Sequence, residues 1–79
     1  MDYGINENEY REILEKQENK CAICGKNQKL LTKRLSIDHC HHSMKVRGLL
    51  CSKCNVAIGL LNDDISILEN AIIYLASYQ

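Results

Sequence analysis

The chain has no proline, no tryptophan and no phenylalanine, and four tyrosines make up its whole aromatic content, 5% of 79 residues. Its core must therefore come from Leu, Ile, Val, Ala and those tyrosines, and at this length such a core is small enough to need a staple. No Gly/Ser-rich stretch divides the chain, which reads as one domain over residues 1–79. No apolar run approaches the ~20 residues that a membrane span requires, so no membrane partner is expected. The first residues, Met1, Asp2, Tyr3 and Gly4, lack the basic and apolar regions of a secretory signal, and five cysteines is an odd number. Together these point to a soluble protein of a reducing compartment, without a disulfide framework. Net charge is lacking as well: ten Lys+Arg face ten Asp+Glu, which on its face argues against a nucleic-acid partner.

The distribution of charge reverses that reading. Residues 20–54 hold Lys20, Lys26, Lys29, Lys33, Arg34, Lys45, Arg47 and Lys53 against Asp38 alone, a local excess of about +7 that the two flanks balance. A charge run is more often a solvated face than a binding site. This one coincides with the chemistry described next, which favours phosphate contact.

Two Cys-x-x-Cys pairs bracket the same segment. Cys21 and Cys24 form one, Cys51 and Cys54 the other, and two such turns can close a tetrahedral site of four thiolates around zinc. Gly25, directly after the first pair, supplies the positive φ that turns backbone N–H groups towards sulfur. The rival reading is four thiols without metal. Between the pairs lie all three histidines, not at zinc-finger spacing. Asp38 and His39 end an alternating apolar stretch and read as the exit of a strand, where a hard oxygen ligand beside an imidazole suits a divalent cation with a general base. Asn55 follows the last cysteine and offers an amide oxygen of the same hard character.

The blocks Cys21-Ala22-Ile23-Cys24-Gly25, Ile37-Asp38-His39-Cys40-His41 and Val46-Arg47-Gly48-Leu49-Leu50-Cys51, with Cys54-Asn55, resemble the recombination endonuclease VII family of phages, a zinc-containing branch of the His-Asn-His nucleases. The resemblance covers nearly the whole chain. It implies an α+β fold: a small ββα-metal (His-Me finger) unit with a four-cysteine zinc site and flanking helices. The activity it implies is metal-dependent hydrolysis of phosphodiester bonds in branched or duplex DNA, by a phage-encoded enzyme in the cytoplasm of the bacterial host. By this resemblance His39 is the general base, Asp38 and Asn55 hold Mg²⁺ or Mn²⁺, and His41 contacts or orients the scissile phosphate. Arg34, Lys45, Arg47 and Lys53 are the expected DNA contacts. For Arg47 two roles stand side by side, clamping phosphate or neutralising Asp38 from the facing strand. His42 reads as a solvated loop residue. Cys40, where the family often carries another polar residue, is either an inert thiol on the strand's other face or a competitor for zinc. The rival to a nuclease is a non-catalytic zinc ribbon that binds nucleic acid or protein; such a ribbon has no need of Asp38, His39 and Asn55.

Local signals give the elements. Asn6 with Glu9 forms a capping box, stapled by Ile5 and Tyr10, so a helix starts near residue 7 and stops before residue 21, with Tyr10, Ile13, Leu14 and Gln17 on one face. Residues 25–34 read as a loop with a short strand. Residues 35–39 and 46–50 read as a hairpin joined by residues 42–45, with Gly48 marking a bulge or a close backbone approach. Ser52 caps a helix over residues 53–61 that buries Val56, Ala57, Leu60 and Leu61. After a turn at Asn62-Asp63, Asp63 or Asp64 caps a last helix over residues 65–78. Its apolar set is wider than one stripe, so either the first helix or a second copy covers the excess. We expect the first helix to do so, in a mainly monomeric protein that nicks DNA, a homodimer being the alternative.

Overall fold

The computed structural model describes residues 5–40 and 42–78. Asn6 opens helix α1 (Glu7–Lys16) with the capping box in place: the Glu9 N–H donates to Asn6 Oδ1 at 2.8 Å and the Asn6 N–H to Glu9 Oε1 at 3.2 Å. The helix ends in a Schellman closure, with the Asn19 N–H on the Leu14 carbonyl and the Glu18 N–H on that of Glu15. Glu18 and Asn19 both take left-handed backbone conformations to make that turn, which brings the chain to the first cysteine pair.

A 3₁₀ turn (Gln28–Leu30) occupies the loop where a short strand was expected; the only strand-like feature there is an isolated bridge between Lys20 and Asn27. Asn27 caps the turn through its side chain, and that polar local bond replaces a ladder. Strand β1 (Ser36–His39) and strand β2 (Val46–Leu50) form a two-stranded antiparallel sheet. Ser36 pairs with Leu50, Ile37 with Leu49 and Asp38 with Gly48, but His39 pairs with Val46, so Arg47 is an extra residue on β2. Helix α2 (Ser52–Leu60) packs on both strands and α1 packs on β2. Helix α3 (Ile65–Ala76) follows, capped by Asp64, whose Oδ1 accepts the Ile67 N–H at 3.2 Å. Among the described residues the result is an α+β arrangement of three α-helices and one hairpin.

Among the described residues the buried core is Tyr10, Cys21, Leu35, Leu49, Leu50 and Cys51, so two of its six members are knuckle cysteines. Tyr10 is 3% exposed and donates its hydroxyl to the Leu35 carbonyl at 2.6 Å, which sews α1 to the entry of β1. Leu49, fully buried, is the hub of the other seam. Its N–H donates to Gln17 Oε1 at 2.9 Å, and its carbonyl accepts Gln17 Nε2 at 2.9 Å and the Ala22 N–H at 3.1 Å. One side-chain amide thus mimics a strand on the outer edge of β2. Gly48 is both things expected of it. It adjoins the bulge, and a Cβ there would meet Gln17 Oε1 at 3.0 Å.

Three expectations need correction. The N-cap of α2 is Cys51, not Ser52: the Cys54 N–H donates to Cys51 Sγ at 3.4 Å. A sulfur drawn into the cysteine cluster is well placed to accept, so it displaces the hydroxyl. Val56, Ala57 and Leu60 are exposed; the inward face of α2 is Cys54, Asn55, Ile58 and Leu61. Apolar residues are spread almost evenly around α2, so the need of Cys54 to reach the other cysteines sets the phase of the helix. Finally, α1 does not cover the apolar set of α3. Among the described residues no other element approaches α3 closely, and Ile65, Ile72, Ile73, Leu75 and Tyr78 stay exposed. α1 finds its apolar partners in β2 and Leu35 instead.

Gln17→Ala should lower stability by about 1–3 kcal/mol, because it leaves the buried Leu49 N–H without its partner. The check is urea unfolding of the zinc-loaded protein, in which the midpoint falls and the slope holds; an unchanged midpoint contradicts the edge role given to Gln17.

Candidate functional site

The first knuckle forms because Gly25 takes φ +75°, which closes the Gly25 N–H on the Cys21 carbonyl at 3.1 Å and the Cys21 N–H on that of Lys26 at 3.0 Å. Its sulfurs meet those of Cys51 and Cys54, and all four Sγ atoms lie within 4.8 Å of one another. A tetrahedral site with Zn–S bonds of about 2.3 Å has sulfur–sulfur edges of about 3.8 Å. Cys24 and Cys51 stand at that separation, 3.8 Å, nearly twice a disulfide bond length of about 2.05 Å. Four sulfurs and no nitrogen or oxygen ligand is a donor set that fits zinc.

Charge within the cluster is unevenly held. Burial opposes ionisation of Cys21, yet the backbone N–H groups of Cys51, Cys24 and Ile23 and the Cys24 thiol outweigh it and bring its pKa down to about 6. Burial, joined by the neighbouring sulfurs of Cys51, Cys21 and Cys24, pushes Cys54 up to about 12. Four thiolates this close repel one another, and a divalent cation is what lets all of them ionise. Cys40 lies outside the cluster, on the hairpin turn, where its N–H donates to the Lys45 carbonyl at 2.8 Å. The Ser43 backbone and side chain and the His42 backbone lower its thiol pKa. β1 ends at His39, so strand alternation no longer governs where Cys40 points.

Asp38 and His39 sit at the end of β1, beside the bulge. In unbroken pairing Arg47 would face His39, on the opposite side of the sheet from Asp38. The extra residue re-aims it. Arg47 Nε donates to Asp38 Oδ2 at 2.7 Å and Nη2 to Oδ1 at 2.9 Å, a two-pronged pair on a carboxylate whose side chain is 12% exposed. Hydrogen bonding to Asp38, against the opposing effect of burial, raises the pKa of the guanidinium. Arg47 thus neutralises Asp38, one of the two roles held open for it. The same Nη2 lies 3.5 Å from Asp63 Oδ2. Asp63 had no sequence signal as a partner of Arg47: it was read as part of a turn and as one of two candidate caps for the last helix. Its place comes from a Schellman closure of α2, with the Asp63 N–H on the Ile58 carbonyl, the Asn62 N–H on that of Gly59, and Asn62 and Asp63 both left-handed.

Asn55 is half-buried in the first turns of α2, the helix that packs on both strands. An open cleft of about 440 Å³ is lined by Cys40, His42, Arg47, Gly59, Asn62 and Asp63; of the Arg47–Asp38 pair it is the arginine that reaches it. Lys45 is exposed on the hairpin turn. Lys53 is exposed beside the cysteine cluster, in a second hollow with Lys26, Cys24 and Cys51. Arg34 is elsewhere: it pairs with both oxygens of Glu7 at 3.1 and 3.2 Å and stacks 3.8 Å above the Tyr10 ring, so it is tied to α1. That hydrogen bonding lowers the pKa of the exposed Glu7 carboxyl. His41, assigned to the phosphate by resemblance, lies outside the described residues.

Cys24→Ser should abolish stoichiometric zinc in the purified protein and broaden or erase its cooperative thermal transition, because binding of a structural metal contributes directly to folding. Elemental analysis beside circular dichroism checks this; a metal-free variant that melts like the parent contradicts it.

The Gene 59 protein of Mycobacterium phage D29 is 49% identical over 75 residues, covering 92% of this chain and 44% of that protein. The Gene 59 protein of Mycobacterium phage L5 is 47% identical over 75 residues with the same coverage. The chain therefore spans less than half the length of these curated relatives. No solved structure matches it. The recombination endonuclease VII family model matches residues 1–77, which takes in both cysteine pairs, the hairpin with Asp38 and His39, and all three helices, and the chain belongs to that family.

Proposed function

We propose that the chain is a metal-dependent DNA endonuclease domain of the His-Asn-His, ββα-metal type, acting on branched or duplex DNA. The observation that carries the reading is the β1–β2–α2 seam, in which Asp38 and His39 end one strand and Asn55 rides the helix packed on it, with the cysteine cluster at the junction. Membership of the recombination endonuclease VII family supports it. The relatives above are phage proteins, which fits work in the cytoplasm of an infected cell; among the described residues no helix is long and apolar enough to cross a membrane.

The residues then divide the reaction as follows. His39 takes a proton from water as the water oxygen attacks phosphorus, and the bond to the 3′ oxygen breaks, leaving a 5′ phosphate and a 3′ hydroxyl. Asp38 and Asn55, a carboxylate and an amide oxygen, are hard donors that suit Mg²⁺ or Mn²⁺. When bound there, the cation stabilises negative charge that builds on the phosphate and the leaving oxygen. His41 orients the scissile phosphate. Lys45, Lys53 and Arg47 contribute positive charge along the backbone path, and Arg34 adds to the same field from beside α1. Zinc in the four-cysteine site is structural.

His39→Ala should reduce cleavage of supercoiled plasmid in Mg²⁺ by roughly 10²–10⁴-fold, the usual share of a general base, while zinc content and melting stay as in the parent. Open-circle product should precede linear product in the parent. Retained turnover in the variant contradicts the role of His39. A parent that binds DNA without cutting it supports the zinc-ribbon reading.

A further inference from the structure

The arrangement of one guanidinium between two carboxylates carries a further step, which rests on the reading of Asp38 as a cation ligand. We propose that Arg47 is a latch on the cation site: it fills the Asp38 carboxylate until a divalent cation displaces it, and Asp63 then holds it facing the cleft as a positioning residue.

Asp38 is 12% exposed at its side chain, and a carboxylate in that setting needs a counter-charge at all times. Arg47 supplies it through both oxygens, at 2.7 and 2.9 Å. Those are the same lone pairs that a cation would use, so guanidinium and cation compete for Asp38. Coulomb repulsion between them drives the departing guanidinium outwards. Its stop is already in place. Nη2 is 3.5 Å from Asp63 Oδ2, and Asp63, 19% exposed at its side chain, sits on a backbone turn fixed by two hydrogen bonds to α2. The cleft of about 440 Å³ lies on that side, with His42, Asn62 and Gly59 around it, and offers the side chain room to move.

The consequence is a coupling between two ligands. In the metal-free protein Arg47 is committed to Asp38; in the metal-loaded protein it is released towards a phosphate in the cleft. Cation binding and phosphate contact must then favour each other by the same factor. The β2 bulge is what makes the exchange possible, because regular pairing would hold Arg47 on the other face.

The test is Mn²⁺ affinity of the zinc-loaded protein without DNA, by calorimetry or by the electron paramagnetic resonance of free Mn²⁺. Arg47→Gln should tighten Mn²⁺ binding by about tenfold, the scale expected when a partly screened like charge leaves a cation site. Asp63→Asn should weaken binding about threefold in the parent and have no effect in the Arg47→Gln background, since Asp63 acts through Arg47. An Arg47→Gln protein that binds no tighter, while Asp38→Asn abolishes binding, overturns the latch and leaves the cation site standing. Binding that survives Asp38→Asn removes the site and the latch together. An equal effect of Asp63→Asn in both backgrounds overturns its role as receiver. Should the Arg47 variant fold poorly, the unsubstituted protein decides: the Arg47 Nε–H nuclear resonance should be slow-exchanging without divalent cation and shift on Mg²⁺ saturation, and a resonance indifferent to Mg²⁺ refutes the exchange.

Discussion

The convergence of four sulfurs is the constraint on which the remaining architecture depends. Cys21 and Cys24 follow α1, Cys51 and Cys54 begin α2, and their meeting joins two halves of a chain whose apolar core is otherwise Tyr10, Leu35, Leu49 and Leu50. So few buried side chains cannot offset the conformational entropy of ordering a chain of this size. The cluster also acts at a distance. By requiring Cys54 to face inwards it rotates α2 so that Asn55 and Ile58 lie on the seam and Val56 and Leu60 face solvent. The apolar residues of α2 favour no one side of the helix, so the cysteine decides its phase, and Asn55 comes to lie half-buried beside Cys54.

The second organising feature is the outer edge of β2. A two-stranded sheet leaves an edge of unpaired backbone groups, and here Gln17 and Ala22 satisfy Leu49 from the end of α1 and from the first knuckle. That seam is tight at position 48, where an added Cβ would meet Gln17 Oε1 at 3.0 Å and the amide would have to shift by a few tenths of an ångström. Beside it the bulge brings Arg47 onto the Asp38 face. The cysteine cluster, the sheet edge and the Arg47–Asp38 pair are therefore all served by one stretch of chain, from Val46 to Cys51.

What could be read in advance depended on the range of the signal. The Asn6–Glu9 cap, the positive φ of Gly25, the hairpin, the cysteine set and an aspartate cap at position 63 or 64 are written within a few residues; the structure has all of them and sets the last at Asp64. Features fixed by distant partners were not legible. Gln17 is a helix-terminal glutamine until Leu49 is brought beside it, and Asp63 is a turn residue until the bulge aims Arg47 towards it. Cys51 displaced Ser52 as a cap because its sulfur was already drawn into the cluster. The exposed apolar side of α3 was visible as an excess of Ile and Leu, but α1 proved to be occupied with β2 and Leu35.

The central claim, that one four-thiolate metal site organises fold and reaction centre together, is tested most directly by titrating Co²⁺ into reduced, metal-free protein while absorbance and far-ultraviolet circular dichroism are recorded together. The account predicts one equivalent of Co²⁺, the intense thiolate-to-metal charge-transfer and tetrahedral visible bands of a four-sulfur site, and helical signal appearing in step with them. A protein with full helical signal before any metal is added, or cobalt bound without those bands, would contradict it.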